Sequence, residues 1–234
     1  MRRLEGAHEL LDGPLDEQLL AGNLRDLGRF NRWLGGAALS AAAILPLAAG
    51  RSVLSVLDVG TGGGDIALRL ARHHGAVPDV RLEVAATDID PLIVAYANRR
   101  AAGKIAVALR HVNEEADRSY DVVHASLVLH HVELGADLAA ISFLRDMARV
   151  ARDAVVVNDL DRGWRWWAGG WLLTRVLTRN AYTRHDAPLS VRRAYTANEV
   201  VDLARRVDLR LVARYQTRPA YRYALVFVHD RPGT

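Results

Sequence analysis

The chain alternates between two kinds of apolar pattern. From 15 to 34 (LDEQLLAGNLRDLGRFNRWL) the apolar positions recur near every 3.6 residues, which predicts one or two amphipathic helices. Gly35-Gly36 breaks that run, and an apolar helix is expected from 37 to about 49. Short, β-branched apolar runs follow at 53–60, 80–89, 104–112, 120–129 and 153–160, with the composition of buried strands. Helices are expected between them at 66–74, 91–101 and 137–150, the second opened by Pro91 at its first turn. A strand-helix-strand rhythm of this kind predicts a mostly parallel sheet with helices on both faces. After the fifth strand the rhythm stops. Residues 161–196 form a long insertion, and a helix at 197–207 and strands at 209–216 and 223–230 close the chain as a hairpin on the sheet.

Composition narrows the class. With 234 residues, half of them hydrophobic, the chain suits one α/β domain with a substantial core. Cysteine is absent, which excludes a disulfide framework, thiolate catalysis and thiolate-ligated zinc, and makes the cytoplasm the expected compartment. The net charge of +4 is carried by arginine, since Lys104 is the only lysine. These arginines alternate with Asp and Glu and do not interleave with aromatics, so no nucleic-acid partner is expected. The N-terminus, MRRLEGAHEL, turns acidic at once, unlike a signal peptide. The apolar run 37–49 contains Pro46 and is too short to span a bilayer.

Candidate chemistry begins at LDVGTGGGDIALRL, residues 57–70. Ligands of open parallel sheets bind at the carboxyl ends of the strands, where Gly60, Thr61, Gly62, Gly63 and Gly64 fall. A dinucleotide fingerprint counted from Gly60 and Gly62 wants a third glycine where Asp65 stands, and no Gly-Lys-Ser/Thr follows to make a P-loop. Asp58 ends the first strand, placed for a ligand carrying an ammonium. Asp88 ends the second, where a carboxylate accepts both hydroxyls of a ribose. Asp90, before Pro91, is read as a helix cap, which leaves Asp88 free for ligand.

LDVGTGGGD, ATDIDP and YDVVHASLVLHHV resemble the first, second and fourth-strand motifs of class I S-adenosylmethionine-dependent methyltransferases, over roughly residues 52–160. The resemblance implies a Rossmann-like, seven-stranded α/β fold. It divides the chain into an N-terminal helical cap (1–50), a cofactor-binding core (51–160), a helical substrate lid (161–196) and a completing helix and strand pair (197–234). It further implies that Gly60–Gly64 hold the methionine part of the cofactor, with Asp58 near its amino group. Asp88, next to Ile89, would take the ribose, Asn113 or Glu114 would meet the adenine, and Ser126 and His130 would lie beside the cofactor. S-adenosylhomocysteine would be the product. The N-terminal extension, with Arg25, Arg29, Asn31 and Trp33, often closes over the cofactor in that family. Metal-assisted relatives of the catechol type want an acid at the end of the fourth strand and an Asp-Asn pair after the fifth. Ser126 and the inverted Asn158-Asp159 stand there, so no metal is expected, and Asp159 is read as lining the pocket mouth.

The insertion holds four of the five tryptophans, and Trp164, Trp167 and Trp171 fall on one helical stripe. That stripe either packs the insertion onto the sheet or lines an apolar substrate pocket. Arg165, Arg175 and Arg179 leave open a peripheral contact with lipid or an amphiphilic substrate. His185-Asp186 is read as a polar loop near that pocket, followed by Ser190, Arg192 and Arg193. It is one candidate base; the other is His131, since successive strand residues face opposite ways and His130 is assigned to the cofactor side. His124, inside the strand, is read as a core residue.

NLRDLGRFNRWLGG, VVVNDL and TRHDAPLSVRRAYT resemble, more narrowly, bacterial methyltransferases that accompany type III polyketide synthases. That resemblance implies O-methylation of a phenolic, polyketide-type aromatic. Its rivals are C- or N-methylation of a quinone precursor or other metabolite, an NAD(P)-binding reductase, and a non-methylating cofactor-binding protein. The oligomeric state is left open.

Overall fold

The structure, a computed structural model, describes residues 1–72, 80–132 and 137–230. The first 16 residues are non-helical apart from a short 3-10 turn, Leu10–Asp12. They are stitched to the far end of the insertion: Leu4 N–H donates to the Arg192 carbonyl, and Leu10 and Leu11 N–H donate to the Asp186 carboxylate. Helix α1 (Glu17–Trp33) is capped by Asp16, whose side chain accepts from Leu19 N–H, and is amphipathic as its pattern predicts. Helix α2 (Gly36–Ile44) is apolar all round and accordingly buried, and it passes into a 3-10 turn, Leu45–Ala48, containing Pro46.

The core then alternates as expected: β1 (Val53–Val59), α3 (Asp65–Ala71), β2 (Arg81–Asp88), α4 (Pro91–Ala101), β3 (Ala106–Leu109), β4 (Tyr120–Ser126), α5 (Asp137–Val150) and β5 (Ala151–Leu160). Asp90 caps α4 by accepting from Leu92 and Ile93 N–H. Residues 73 and 74 of the expected 66–74 helix lie outside the described residues. The insertion folds as two helices, α6 (Trp164–Leu177) and α7 (Ala181–Arg193). Helix α8 (Ala197–Arg205) and strands β6 (Leu209–Gln216) and β7 (Arg222–His229) complete the chain.

The seven strands lie in the order β3-β2-β1-β4-β5-β7-β6, with β7 antiparallel to both its neighbours. Strand order reverses between β1 and β4, and this topological switch point opens a crevice at their carboxyl ends. One face of the sheet, with Leu57, Val123, Val155 and Phe227, buries against Leu144 and Met147 of α5 and Leu203 of α8. The other face, with Leu54, Val56, Val122 and Val156, buries against Ile44 of α2 and Leu70 of α3.

Two local expectations are corrected. β4 stops at Ser126 and does not run to 129, because Leu127 takes a left-handed backbone (φ 59°) and its N–H donates to the Asn158 carbonyl on β5. The chain then turns through a 3-10 turn, Leu129–His131, so the alternation argument that separated His130 from His131 does not apply. His185-Asp186 is not a loop but lies inside α7, a helix begun by Asn180, whose side chain accepts from Thr183 N–H.

Candidate active site

The glycine loop between β1 and α3 is set by backbone geometry that only glycine adopts without strain. Gly60, Gly62 and Gly64 have φ of 63°, 54° and 69°. A Cβ on Gly60 would come within 2.6 Å of Val128 Cγ2. Gly62 N–H donates to Asp88 Oδ2 at 2.9 Å, while Ile89 and Asp90 N–H donate to Oδ1. Asp88 is buried, and that burial raises its carboxyl above the ordinary value against the pull of the three N–H donors. Three bonds on a carboxylate leave an acceptor site for a ligand hydroxyl.

Asp58 turns out to be a structural anchor for this loop. His124 Nδ1 donates to its Oδ1 at 2.7 Å, and Thr61 Oγ1 donates to its Oδ2 at 2.7 Å. A carboxylate accepts, so His124 carries its proton on Nδ1 and its Nε2 accepts from Ser40 Oγ at 2.9 Å. Asn158 Nδ2 donates to the same Ser40 oxygen, and Arg222 Nε donates to Asn158 Oδ1 at 2.6 Å. A directed, buried chain of hydrogen bonds therefore runs from Arg222 to the glycine loop. Arg222 also donates to Asn31 Oδ1 and Ser126 Oγ, tying α1 and β4 to the same point. Asn31 in turn bonds to Asp65, whose carboxyl is raised by burial against that bond. His124 is the core residue expected; Ser126 meets Arg222.

Helix α1 closes over the loop: Leu24 lies 3.8 Å from the Cβ position of Gly62, and its carbonyl flanks Gly63. Arg25, Arg29 and Trp33 are exposed on its other side. Beyond β2, Ile89 is 62% exposed, an apolar surface beside Asp88. Asn113 and Glu114 sit in the 3-10 turn Val112–Glu114, both exposed, with the Glu114 carboxylate accepting from His111 N–H.

A cavity of about 410 Å³ lies between α1, the strand ends, α6 and α7, and one of its lining residues, Asn31, bonds to Asp65 at the end of the loop. Its walls are mainly apolar, built by Leu27 and Phe30 of α1, Leu34 just after it, Trp166 and Leu173 of α6, and Tyr221. Trp166 meets Tyr221 edge-to-face with ring centroids 6.3 Å apart. Glu9, His130, His131 and Asp186 face the cavity, the first three clustered together, and Asn31 and Arg222 line it at the strand ends.

Several sequence expectations move here. The tryptophan stripe points outward: Trp164, Trp167 and Trp171 are 67%, 38% and 43% exposed and do not line the cavity. Trp166, on the opposite face of α6, is the tryptophan that does. His185 is half exposed on the outer side of α7, with Nδ1 donating to Asp186 Oδ1 at 2.7 Å, and it does not line the cavity. Asp186 faces inward, buried, with its oxygens taken by Leu10, Leu11 and His185. Arg192 is exposed, whereas Arg193 is buried and paired with Glu9 and Asp12. Asp159 does not line the cavity mouth; it lies behind His130, accepting from its Nδ1 at 2.7 Å. Burial works to raise the Asp159 carboxyl, but His130 outweighs it and holds it below the usual range.

His130 and His131 lie side by side at the cavity, ring centroids 4.4 Å apart. His131 Nδ1 donates to Asp12 Oδ1 at 3.0 Å. Burial lowers the His131 pKa, yet the Glu9 carboxylate and the Asp12 bond prevail and raise it. Glu9, Asp12, Arg193 and Arg222 are the site residues that sequence reasoning missed. An arginine opening the apolar run YALVFVH was the one available signal.

Residues 57–156 match the family model described as a methyltransferase domain. No curated protein matches the chain. Among solved structures, it is similar to a SAM-dependent methyltransferase from Aquifex aeolicus at 17% identity and a TM-score of 0.63, covering 92% of this chain and 100% of that one. The magnesium protoporphyrin IX methyltransferase of Synechocystis PCC 6803 with bound S-adenosylhomocysteine is 16% identical, with a TM-score of 0.59, covering 93% and 90%. The pyocyanin biosynthetic protein PhzM is 19% identical, with a TM-score of 0.60, covering 94% of this chain and 63% of that one.

Proposed function

We propose that this chain acts as an S-adenosylmethionine-dependent methyltransferase, a reading its domain match and fold favour over the reductase alternative, and that it methylates a hydroxyl of a hydrophobic aromatic small molecule. The observation that carries this reading is the cavity's lining: a mainly apolar, aromatic-edged chamber into which Glu9, His130 and His131 project close together. Such a chamber suits a flat phenolic or polyketide-type compound with its hydroxyl at Glu9, His130 and His131.

The residues present fit the cofactor. Gly60, Gly62 and Gly64 form a tight left-handed turn at the end of β1, closed against Val128, Asp88 keeps an acceptor site for a ribose hydroxyl, and Ile89 offers an apolar face to the adenine. When bound, S-adenosylmethionine would supply an electrophilic methyl group on a sulfonium. What the chain contributes is placement. The loop fixed by Asp58 and Thr61 holds the donor, and Trp166, Phe30 and Leu173 hold the acceptor and exclude water.

No helix among the described residues is long and apolar enough to cross a membrane. Incubation with isotopically labelled methyl donor and a panel of alkylresorcinols, quinone precursors and amines, read by NMR of the products, tests the proposal. A labelled methoxy group on the phenols supports it. Label on carbon or nitrogen alone transfers the function to the rival acceptors.

A further inference from the structure

We propose that Glu9, His130 and His131 bind one divalent transition-metal ion where they project into the cavity. Each offers one ligand atom, and these atoms lie within 4.8 Å of one another. The three come from the N-terminal segment and from the turn after β4, brought together only by folding.

The arrangement of the histidines is the first argument. A carboxylate accepts hydrogen bonds, so the contacts of His130 with Asp159 (2.7 Å) and of His131 with Asp12 (3.0 Å) put the ring proton on Nδ1 in both. In the neutral ring, the form that ligates a metal, Nε2 then carries the lone pair. Two adjacent imidazoles, each backed by a carboxylate at Nδ1, are held as metal-binding histidines are held.

Glu9 supplies the second argument. Its Oε1 is occupied, accepting from Ser190 Oγ at 2.9 Å and lying 3.2 Å from Arg193 Nη1. Its Oε2 stands 3.7 Å from His131 Nε2, too far for a hydrogen bond. Two ligands that each bind an ion at about 2.0–2.2 Å are separated by roughly this span.

Charge gives the third. Around the histidines the carboxylates of Glu9, Asp12 and Asp159 outnumber the one linked guanidinium, Arg193, which favours a cation there. Two nitrogens and one oxygen suit zinc, cobalt or ferrous iron better than magnesium or calcium, and three protein ligands leave a position open. A hydroxyl in that position loses its proton more readily, the bond to the ion replacing the bond to hydrogen. This use of the ion rests on the proposed O-methylation; the binding of the ion does not.

The chelator-stripped, full-length protein is titrated with Zn²⁺ by calorimetry. One ion per chain is expected, with Glu9→Gln and His131→Gln each at least tenfold weaker and Asp159→Asn weaker by about 10–100-fold. His185→Gln, outside the cavity, should bind as the unaltered protein does. Failure of the unaltered protein to bind one equivalent overturns the site, as does unchanged affinity in both Glu9→Gln and His131→Gln. Should a variant misfold, the visible spectrum of the Co²⁺-loaded unaltered protein decides, because nitrogen ligation shifts it from that of the aqueous ion. Phenol methylation that persists with the ion stripped and unbound overturns the ion's use in the reaction and keeps the O-methylation. One bound ion with no phenol methylated keeps the metal site and overturns the acceptor.

Discussion

Arg222 donates through Nε to Asn158 Oδ1 at 2.6 Å, and both residues are buried. This contact joins the first residue of β7 to β5, and through Ser40 and His124 it reaches Asp58 and the glycine loop. Asn158 and Asp159 are neighbours on one strand, so they face opposite ways. Asn158 serves the hydrogen-bond chain on the α2 side, and Asp159 serves His130 on the cavity side. The pair that resembles an inverted metal-binding dipeptide is thus two separate fittings.

Arg222→Met should therefore destabilise the protein strongly. It removes the donors to Asn158, Asn31 and Ser126 and leaves their oxygens buried without that partner. A buried acceptor left without its donor costs about 1–3 kcal/mol. Urea unfolding followed by circular dichroism measures it, and a loss below about 1 kcal/mol would show that the freed oxygens find other donors.

The glycine loop makes a prediction with its own control. Gly60→Ala brings a Cβ to 2.6 Å from Val128 Cγ2 at a residue with φ of 63°. Adding Val128→Ala removes the steric part and leaves the left-handed penalty of about 1–2 kcal/mol. S-adenosylhomocysteine titrations should find Gly60→Ala the weaker binder and the double variant partly restored. Equal affinities for the two would mean that the clash is relieved elsewhere.

Which tryptophan meets substrate is tested by kinetics. Trp166→Ala strips an aromatic wall from the cavity, and loss of about 1.5–3 kcal/mol of apolar burial raises KM roughly ten- to a hundredfold. Trp171→Ala, on the outward stripe, should leave KM within about twofold. The reverse result would put the outer face of α6 in contact with substrate.

The sheet was legible because its strands are continuous apolar runs and because the glycines and Asp88 fall at strand ends, where the chain must turn. The stripe on α6 was legible as a stripe, but spacing carries no sign: Trp164, Trp167 and Trp171 share a face, and only packing decides that Trp166 looks inward. The turn bearing His130 and His131 was hidden by Leu127, a leucine in a left-handed conformation that no local propensity favours. Glu9, Asp12 and Arg193 converge from the two ends of the chain, a closeness that local periodicity does not record.

Asp88 links the cofactor to pH. Burial raises its carboxyl in the free protein, so the proton is retained to a higher pH than on an ordinary carboxylate. A ribose hydroxyl donates to the ionised form and stabilises it, which lowers the pKa of the bound state relative to the free one. The sign follows from that difference. Cofactor binding releases a proton in the window between the two values, so affinity is full above the free-state pKa and falls as pH drops through it. Asp88→Asn cannot ionise, and its affinity should be lower and flat across the same window. Calorimetric titrations of S-adenosylhomocysteine in buffers of different ionisation heat, from neutral pH down to the limit of folding, measure both the affinity and the proton released. A pH-independent affinity in the unaltered protein would separate Asp88 from the ribose.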